Sequence, residues 1–444
     1  MALVVQKYGG SSVADAEGLR RVARRVVATR EAGHDVAVVV SAMGDTTDDL
    51  LDLTRHITDR PTARELDILL TAGERIAMSL LAMAIHEYGQ PAASFTGVQA
   101  GLRTNDEYGR ARIIEVSPDR IRQTLADGAV AIVAGFQGGS PEDDVTTLGR
   151  GGSDTTAVAL AAALGADACE VLTDVDGMFS ADPRMVPTAR QLPVLSTEEA
   201  LELSAHGAKV LHLRSVEYAR RHGVPLHVRS SFTDLPGTWV TDDERVVARS
   251  RPETHPTQED AMEEPLVRGL AHSRDQATVT VVNVPDVPGR AAAIFSVLSD
   301  AVTALDMIGQ THTASDTGVI DFSFALPLED ARRAATALRE QQTDLGFTRV
   351  SVEERVAKLS IVGSGMRSSP EVPARLFDAL SGEGITVHLI STSEIRMSVV
   401  VDESQLERAA LAVHTAFDLD LELDADGIPL DGSPRALAHA GSGR

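Results

Sequence analysis

The chain has 444 residues, 43% of them hydrophobic, which is enough apolar material for two or three cores. Its formal net charge of −24 argues against nucleic acid and anionic membranes as partners, because both would repel it. The single cysteine, Cys169, excludes an internal disulfide framework and any metal site built from several cysteines. The chain opens without a secretion-type leader, and no apolar stretch of about 18 residues follows. These features predict a soluble cytoplasmic protein.

The first predicted strand, Ala2 to Gln6, leads through Lys7-Tyr8-Gly9-Gly10-Ser11-Ser12 into a helix from Asp15 to Thr29. A lysine and two glycines between a strand and a helix predict an anion cradle suited to phosphate. The alternative is a lysine that is simply solvated. The position favours the cradle, because open parallel sheets bind ligands at the carboxyl ends of their strands.

The next apolar run, His34 to Ser41, is typical of a strand covered on both faces. It ends in hydroxyls and a glycine, from Ser41 to Thr47, at the same predicted sheet edge. The helix predicted from Arg64 to Tyr88 carries Glu74 in an otherwise apolar stretch. Such a glutamate either faces solvent or is buried beside a cation such as Lys7.

Further strands alternate with helices, which predicts an α/β fold with a mainly parallel sheet and helices on both faces. The predicted strands are Ala92 to Thr96, Ala129 to Phe136, Ala168 to Thr173 and Leu226 to Arg229. The predicted helices are Pro118 to Ala126, Thr155 to Leu164 and Thr197 to His206.

The stretch Thr146 to Thr156 places three glycines, Arg150 and Asp154 between two apolar runs. Glycine amides at a helix N-terminus bind oxyanions, and an arginine grips a carboxylate with two parallel hydrogen bonds. Asp154 is placed to take an ammonium group. Together these residues predict a pocket for an amino acid. The alternative is an ordinary tight turn in which Ser153 or Asp154 only caps the helix.

After the strand that ends at Thr173, acidic residues are followed by Phe179 and Arg184. This order fits a site for a purine ring and a phosphate, and it equally fits a charged surface loop. The segment 241–264 is rich in charge, proline and threonine and is predicted to be a linker. Beyond it the chain repeats itself, so that Phe295 and Phe377 occupy matching positions. Such a pair of β-α-β units is typical of a small-molecule sensor or a dimerisation module.

Several segments, in this order, resemble the monofunctional aspartate kinases of actinobacteria: KYGGSSV, SAMGDTTDDL, LLTAGERIA, SFTGVQAG, TTLGRGGSDTTAVALAAALGA, TDVDGMFSADPRMVP and GAKVLHLRSVEYA. The resemblance runs from Leu3 to about Leu419. It implies an amino-acid-kinase domain followed by two ferredoxin-like ACT domains, with an early strand of the regulatory region crossing over so that the first ACT unit is inserted into the second. The implied boundaries are 1–240 for the kinase domain, 241–264 for the linker, 265–345 and 346–423 for the ACT domains, and 424–444 for a flexible tail.

The resemblance implies transfer of the ATP γ-phosphoryl group to the β-carboxylate of L-aspartate, the first step towards lysine, threonine and methionine. Lys7 would then hold the transferring phosphates, Glu74 would orient Lys7, and Mg²⁺ would bridge ATP oxygens without a metal site of protein ligands. The residues implied in catalysis are Lys7, Glu74, Arg150 and Asp154. Those implied in nucleotide binding are Lys7, Gly9, Gly10, Ser41, Thr173, Asp174, Phe179, Asp182, Arg184 and Lys209. Those implied in aspartate binding are Ser41, Thr47, Glu74, Arg150, Gly151, Gly152, Ser153 and Asp154.

Two alternatives belong to other classes: a kinase for another small acid, and a catalytically idle amino-acid sensor. The intact Lys7, Glu74, Arg150 and Asp154 argue against the idle sensor. The tandem sensing repeats argue against a kinase for another acid.

The sequence departs from its family at the expected effector sites for lysine and threonine. Feedback-sensitive relatives carry an asparagine in each ACT unit, where this chain has Ala304 and Thr386, and His388 replaces an acidic residue. We therefore expect relaxed or redirected feedback, since two amide contacts are lost or weakened. The other residues expected to serve regulation are Asp286, Asp306, Gln310, Ser391, Thr392, Ser393 and Glu394.

The resemblance also bears on assembly. Some actinobacterial relatives make a second, shorter subunit from an internal start, and Met262 lies where that start would fall. The expected assembly is a homo-oligomer or an α2β2 complex with that short subunit. The alternative is that Met262 is an ordinary linker methionine.

Overall fold

The N-terminal half of the chain is built on a mainly parallel sheet. The computed structural model describes residues 2–208, 210–250, 266–302, 305–312, 318–366 and 369–420. The strands up to residue 250 are β1 Leu3–Tyr8, β2 Asp35–Val40, β3 Ala92–Phe95, β4 Leu102–Thr104, β5 Ile113–Val116, β6 Val130–Ala134, β7 Gln137–Gly139, β8 Val145–Thr147, β9 Ala168–Thr173, β10 Val194–Leu195, β11 Leu226–Ser230 and β12 Thr238–Val240. The helices are α1 Ala16–Glu31, α2 Thr46–Ile57, α3 Ala63–Leu70, α4 Ala72–Glu87, α5 Asp119–Ala126, α6 Gly152–Leu164, α7 Thr197–Ala205, α8 Leu213–His222 and α9 Glu244–Ser250.

Eight strands form the main sheet, in the order β10-β12-β11-β9-β1-β2-β6-β3, and only the β11–β12 pairing is antiparallel. Successive residues of β2 point to opposite faces. Val38 and Val40 pack in a core with α1 and α4, whereas Val39 packs in a core with α5, α6 and α8. Both faces of β2 are buried, as its continuous apolar sequence predicts. The predicted fold class is confirmed.

Two predicted helices differ from the structure near the carboxyl edge of this sheet. The helix predicted from Arg64 to Tyr88 is interrupted at Thr71, whose hydroxyl donates to the carbonyl of Ile68 and whose own carbonyl accepts from the side-chain amide of Gln137. Helix α6 begins at Gly152, three residues earlier than predicted. Its N-cap, Gly151, adopts the left-handed conformation with φ of 71° and so turns the chain into the helix.

Contrary to the expectation from the sequence, the stretch 63–87 is long and apolar enough to cross a membrane, judged by length and composition alone. Half of its most apolar window is buried inside the molecule. The buried side includes Ala77, Leu81 and Ile85, which pack against α1 and β2. This is the pattern of a core helix in a folded domain.

The C-terminal half is a six-stranded antiparallel sheet with helices, in the strand order β14-β15-β13-β16-β18-β17. Its strands are β13 Gly269–Pro285, β14 Met307–His312, β15 Val319–Pro327, β16 Arg349–Val362, β17 Leu389–Thr392 and β18 Arg396–Asp402. Its helices are α10 Arg290–Ala301, α11 Leu328–Glu340, α12 Gln342–Leu345, α13 Glu371–Gly382 and α14 Leu406–Ala416.

Two long strands, β13 and β16, are shared by two units of this sheet. The first unit contains β14, β15, α10 and α11, and the second contains β17, β18, α13 and α14. The start of β13, from Gly269 to Ser273, pairs with the end of β16 beside the second unit, while its later part pairs with β15 in the first. The sequence repeat is visible in the packing, since Leu298 of α10 and Leu380 of α13 are each buried in the core of their own unit.

Some predictions concern residues outside the described part of the chain. Lys209, Met262, Ala304, residues 251–264 of the predicted linker and the predicted tail 424–444 all fall there. Within the described part of that linker, α9 is helical.

Candidate active site

A pocket of about 250 Å³ lies at the carboxyl ends of β1, β2, β6 and β8, where the sequence predicts a ligand site. It is lined by Lys7, Ser41, Thr47, Glu74, Phe136, Gly149, Arg150, Gly151, Gly152, Ser153 and Asp154. All eight residues predicted to bind aspartate belong to this lining. A larger cavity of about 390 Å³ is lined by Glu107, Arg110, Arg112 and Arg214. We place the chemistry in the smaller pocket, because it combines a lysine, an arginine, two carboxylates and bare glycine amides.

The central contact of the pocket is an ion pair between Lys7 and Asp154. The Lys7 Nζ lies 2.7 Å from Asp154 Oδ1, and the two side chains are only 11% and 15% exposed. Lys7 is therefore paired with Asp154, not with Glu74 as the resemblance implied. The reason is geometric. Asp154 lies in the first turn of α6, which packs on β1, whereas Glu74 accepts a hydrogen bond from the Ala42 amide.

Glu74 is a buried carboxyl in the first turn of α4, with a relative exposure of 3%. Its Oε1 accepts a hydrogen bond of 3.2 Å from the Ala42 amide, and its Oε2 has no hydrogen-bond partner among the described residues. Burial raises the pKa of Glu74 to about 7, and the hydrogen bonds from the Glu74 and Ala42 amides offset this only partly. A cation brought close to Glu74 would favour its ionised form.

Arg150 is exposed and forms no hydrogen bond or ion pair with the described residues, so its guanidinium is available to a ligand. The following residue must be glycine for two reasons. Gly151 has a positive φ, and a β-carbon there would lie 2.0 Å from the His212 ring. The tight turn therefore brings the backbone of 149–152 and the Arg150 side chain to the same pocket.

The loop that carries Arg150 is held at the carboxyl end of β8 by residues that the sequence patterns did not single out. Asp67 is buried and accepts hydrogen bonds from the Thr147 amide at 2.7 Å, the Thr147 hydroxyl at 2.8 Å and the Gly109 amide at 3.0 Å. Arg214 donates to the carbonyl oxygens of Leu148, at 2.8 Å, and Ala111, at 2.9 Å. The loop geometry thus depends on partners distant in sequence.

Phe136 is a further pocket residue that sequence reasoning missed. It follows the buried strand β6 and adopts φ of 67°, a conformation that non-glycine residues rarely take. Its ring contacts the backbone position of Gly152, where a β-carbon would come within 2.8 Å of it. Its only sequence signal is its place at the end of an apolar strand.

The predicted nucleotide residues fall into two groups. Gly9 and Gly10 adjoin Lys7, and the Gly9 amide bonds the carbonyl of Leu172, which brings the ends of β1 and β9 together. Thr173 and Asp174 follow at once, with a hydrogen bond of 3.0 Å between their side chains. The second group lies farther along: Arg184 bonds Asp182 at 2.7 and 3.0 Å, and Phe179 packs against the core of the second unit.

The predicted regulatory residues spread over the C-terminal sheet. Gln310 on β14 and Ser391 and Thr392 on β17 lie on edge strands that meet where Gly309 faces Leu389. The others occupy turns: Asp286 follows β13, Thr386 is exposed before β17, and Ser393 and Glu394 join β17 to β18. His388 is engaged within the sheet, since its Nε2 lies 3.0 Å from Asp402.

Asp306 lies between the two halves of the molecule. It forms an ion pair with the buried Lys358 of β16, and its other oxygen is 3.7 Å from the Nε2 atom of His206, at the end of α7. Nearby, Arg396 of β18 pairs with Glu202 of α7 at 3.2 Å. A residue predicted to bind an effector is thus already in contact with the N-terminal half.

Comparison with known proteins agrees with this architecture. Residues 2–230 match the amino acid kinase family, and residues 359–417 match the ACT domain. The aspartokinase of Mycolicibacterium smegmatis is 52% identical over 100% of both chains. The structure of E. coli aspartokinase III in complex with aspartate and ADP, the R-state, superposes with a TM-score of 0.74 at 26% identity, covering 93% of this chain and 99% of that one. The T-state with lysine and aspartate gives a TM-score of 0.70 at 26% identity, covering 94% and 99%.

The chain belongs to the amino acid kinase family and, within it, to the aspartokinases. It is accordingly an enzyme of the kinase class that carries regulatory ACT units, as the sequence motifs predict.

The raised pKa of Glu74 predicts a pH-dependent stability. Between the ordinary glutamate pKa and about 7, the unfolded chain loses this proton while the folded chain keeps it, so stability falls as pH rises through that window. The expected loss is about 3 kcal/mol. Glu74→Gln removes this loss. In urea unfolding, the free energy of unfolding of the variant should therefore rise relative to that of the wild type from pH 5 to pH 8. The exposed Glu87→Gln is the control; an equal difference at both pH values for Glu74→Gln would contradict the assignment.

Proposed function

We propose that this chain transfers the γ-phosphoryl group of ATP to the β-carboxylate of L-aspartate, giving 4-phospho-L-aspartate. The observation that carries the proposal is the pocket itself, which sets the Lys7–Asp154 ion pair beside bare glycine amides and an Arg150 that pairs with none of the described residues. E. coli aspartokinase III has been crystallised with aspartate and ADP, which are the acceptor and the nucleotide product of the proposed reaction. As in that family, we place the reaction in the cytoplasm, at the entry to lysine, threonine and methionine synthesis.

The reaction brings two anions together, so it depends on alignment and on stabilising spread negative charge. Arg150 takes the α-carboxylate of aspartate with two parallel hydrogen bonds, and Asp154 takes the α-ammonium. The substrate ammonium then competes with Lys7 for Asp154, which releases the Lys7 ammonium towards the phosphates. Substrate binding thereby supplies the positive charge that phosphoryl transfer requires.

The nucleotide lies against Lys7, Gly9 and Gly10 on one side and the segment from Thr173 to Arg184 on the other. Support comes from the contact between Gly9 and Leu172, which joins the two segments at one sheet edge. Mg²⁺, when bound with ATP, neutralises phosphate charge. Asp174, an exposed carboxylate directly after β9, would be the protein group beside this ion, and ATP oxygens would supply most of its ligands, as is usual for Mg²⁺ in phosphate sites.

A substrate panel tests the proposal. ADP release from ATP is measured with L-aspartate, L-glutamate and succinate, which lacks the ammonium that Asp154 would bind. We expect turnover with L-aspartate and at least a tenfold lower kcat/KM for the other two. Equal turnover with glutamate would indicate a kinase for another acid. No turnover with any of them, in a folded protein, would indicate an idle sensor.

Arg150→Lys should weaken aspartate far more than ATP. A point charge cannot reproduce two parallel hydrogen bonds to a carboxylate, and bonds to charged groups contribute about 1.5–3 kcal/mol, or about ten- to a hundredfold in KM for aspartate. Arg110→Lys, at an exposed arginine of the neighbouring cavity, is the matched control. A parallel rise in the KM values for both substrates would count against the assignment of Arg150.

We also propose that feedback by lysine and threonine is relaxed. Ala304 offers no polar group, and the exposed Thr386 offers only a short hydroxyl. Two residues near the expected sites also have partners within the protein: His388 is hydrogen-bonded to Asp402, and Asp306 forms an ion pair with Lys358. E. coli aspartokinase III, by contrast, has been crystallised with lysine in its T-state.

The feedback proposal predicts that most activity survives lysine and threonine together at about 1 mM each, the weak end of common small-molecule affinities. A variant carrying Ala304→Asn and Thr386→Asn should regain inhibition, with an inhibitor constant lower by about one order of magnitude or more, because each amide contributes about 1 kcal/mol. Near-complete inhibition of the wild type would show that the missing amides do not matter.

A further inference from the structure

The loop that follows β9 is built into the core of the second ACT unit. Ala181, Val186 and Ala189 are buried in one apolar cluster with residues of β16, β18, α13 and α14. The backbone continues this contact, since the Leu270 amide at the start of β13 donates to the Ser180 carbonyl at 2.6 Å and Ala189 forms a β-bridge with Asp420. The segment that carries Phe179 and Arg184 is therefore supported from two sides, since the neighbouring Met178 is buried in the kinase core and its amide bonds Thr238.

A chain of hydrogen bonds runs through this contact from Ser180 to His414 to Asp420. Ser180 Oγ lies 2.9 Å from His414 Nε2, and His414 Nδ1 lies 2.9 Å from Asp420 Oδ1. Both Ser180 and His414 are fully buried. The Arg190 amide donates to Ser180 Oγ at 3.0 Å, so the serine also connects the two ends of the loop 180–190.

One protonation state satisfies every group of this chain. Burial lowers the pKa of His414, and the hydrogen bond and charge of Asp420 only partly oppose this, so the ring is neutral. Burial disfavours ionisation of Asp420 too, yet hydrogen bonds from Thr188, Thr415 and His414 keep its pKa below the usual range. The neutral ring then donates its Nδ1 proton to Asp420 and accepts the Ser180 hydroxyl proton at Nε2.

The same three residue types serve as nucleophile, base and orienting acid in hydrolases. That role does not fit here, because no part of Ser180 or His414 is open to a substrate. A buried and fully satisfied polar network instead fixes one arrangement of the elements it joins, and losing one member leaves the others unpaired. These hydrogen bonds join the loop after β9 to helix α14.

We propose that Ser180 and His414 are positioning residues for the nucleotide site. Through them the second ACT unit holds the segment from Thr173 to Arg184 in the conformation that binds ATP. The inference rests on the proposed function, which places the nucleotide at this segment. It follows that a change in the second ACT unit alters ATP binding before it alters aspartate binding, since the aspartate pocket is held separately by Asp67 and Arg214.

The test compares Ser180→Ala and His414→Phe with two matched controls. Ser180→Thr keeps the hydroxyl, and Leu411→Ala changes an exposed residue of the same helix α14. Two quantities are measured on the full chain: amide hydrogen exchange of the peptide covering 178–190, and the KM values for ATP and aspartate. If the wild type shows no turnover with aspartate, ADP binding by calorimetry replaces the KM for ATP.

The first two variants should exchange faster over 178–190 and raise the KM for ATP, or the Kd for ADP, by about five- to tenfold, as expected for one lost hydrogen bond. The KM for aspartate should stay within about twofold, and both controls should resemble the wild type. Unchanged exchange would overturn the hydrogen-bonded clamp. Faster exchange with unchanged nucleotide affinity would overturn the positioning role while leaving the kinase proposal intact. Should His414→Phe fail to fold, Ser180→Ala decides the question alone.

Discussion

The ion pair between Lys7 and Asp154 is the constraint on which the site depends. It joins β1 to the first turn of α6 at the carboxyl edge of the sheet, with both side chains largely removed from water. A largely buried pair is favourable only when it is held in good geometry, and the close packing of α6 on β1 supplies that geometry. The Gly151 turn permits this packing, because it lets α6 begin directly behind the strand and leaves room for His212.

Most of the pocket could be predicted from the sequence, because its signals are local. The glycines at 149, 151 and 152 predict a tight turn, which glycine accommodates best. Lys7 and Ser41 lie at the ends of continuous apolar runs, which predict buried strands. In an open parallel sheet such strand ends share one edge, and residues far apart in sequence line one pocket there. The shared strands β13 and β16 were implied only by the family resemblance, since no local pattern reports that one strand serves two units.

What the sequence did not predict depends on contacts across long stretches of chain. Asp67 and Thr147 are 80 residues apart and meet only because α3 packs against β8. Ser180 and His414 are 234 residues apart and belong to different domains. The resemblance implies that Glu74 orients Lys7, whereas the structure pairs Lys7 with Asp154. Both carboxylates lie near one edge, and only the placement of α6 shows which of them Lys7 meets. The expected effector residue Asp306 likewise lies beside His206, the residue that follows α7.

The most direct test of the central claim is the turnover of Lys7→Ala beside that of Lys7→Ala combined with Asp154→Asn, with folding checked by circular dichroism. The double variant removes the unpaired carboxylate that the single change leaves behind. If Lys7 acts on the transferring phosphoryl group, both folded variants lose at least about a hundredfold in kcat, as is usual when a group that stabilises transition-state charge is removed. Turnover near the wild-type value in either folded variant would contradict this account.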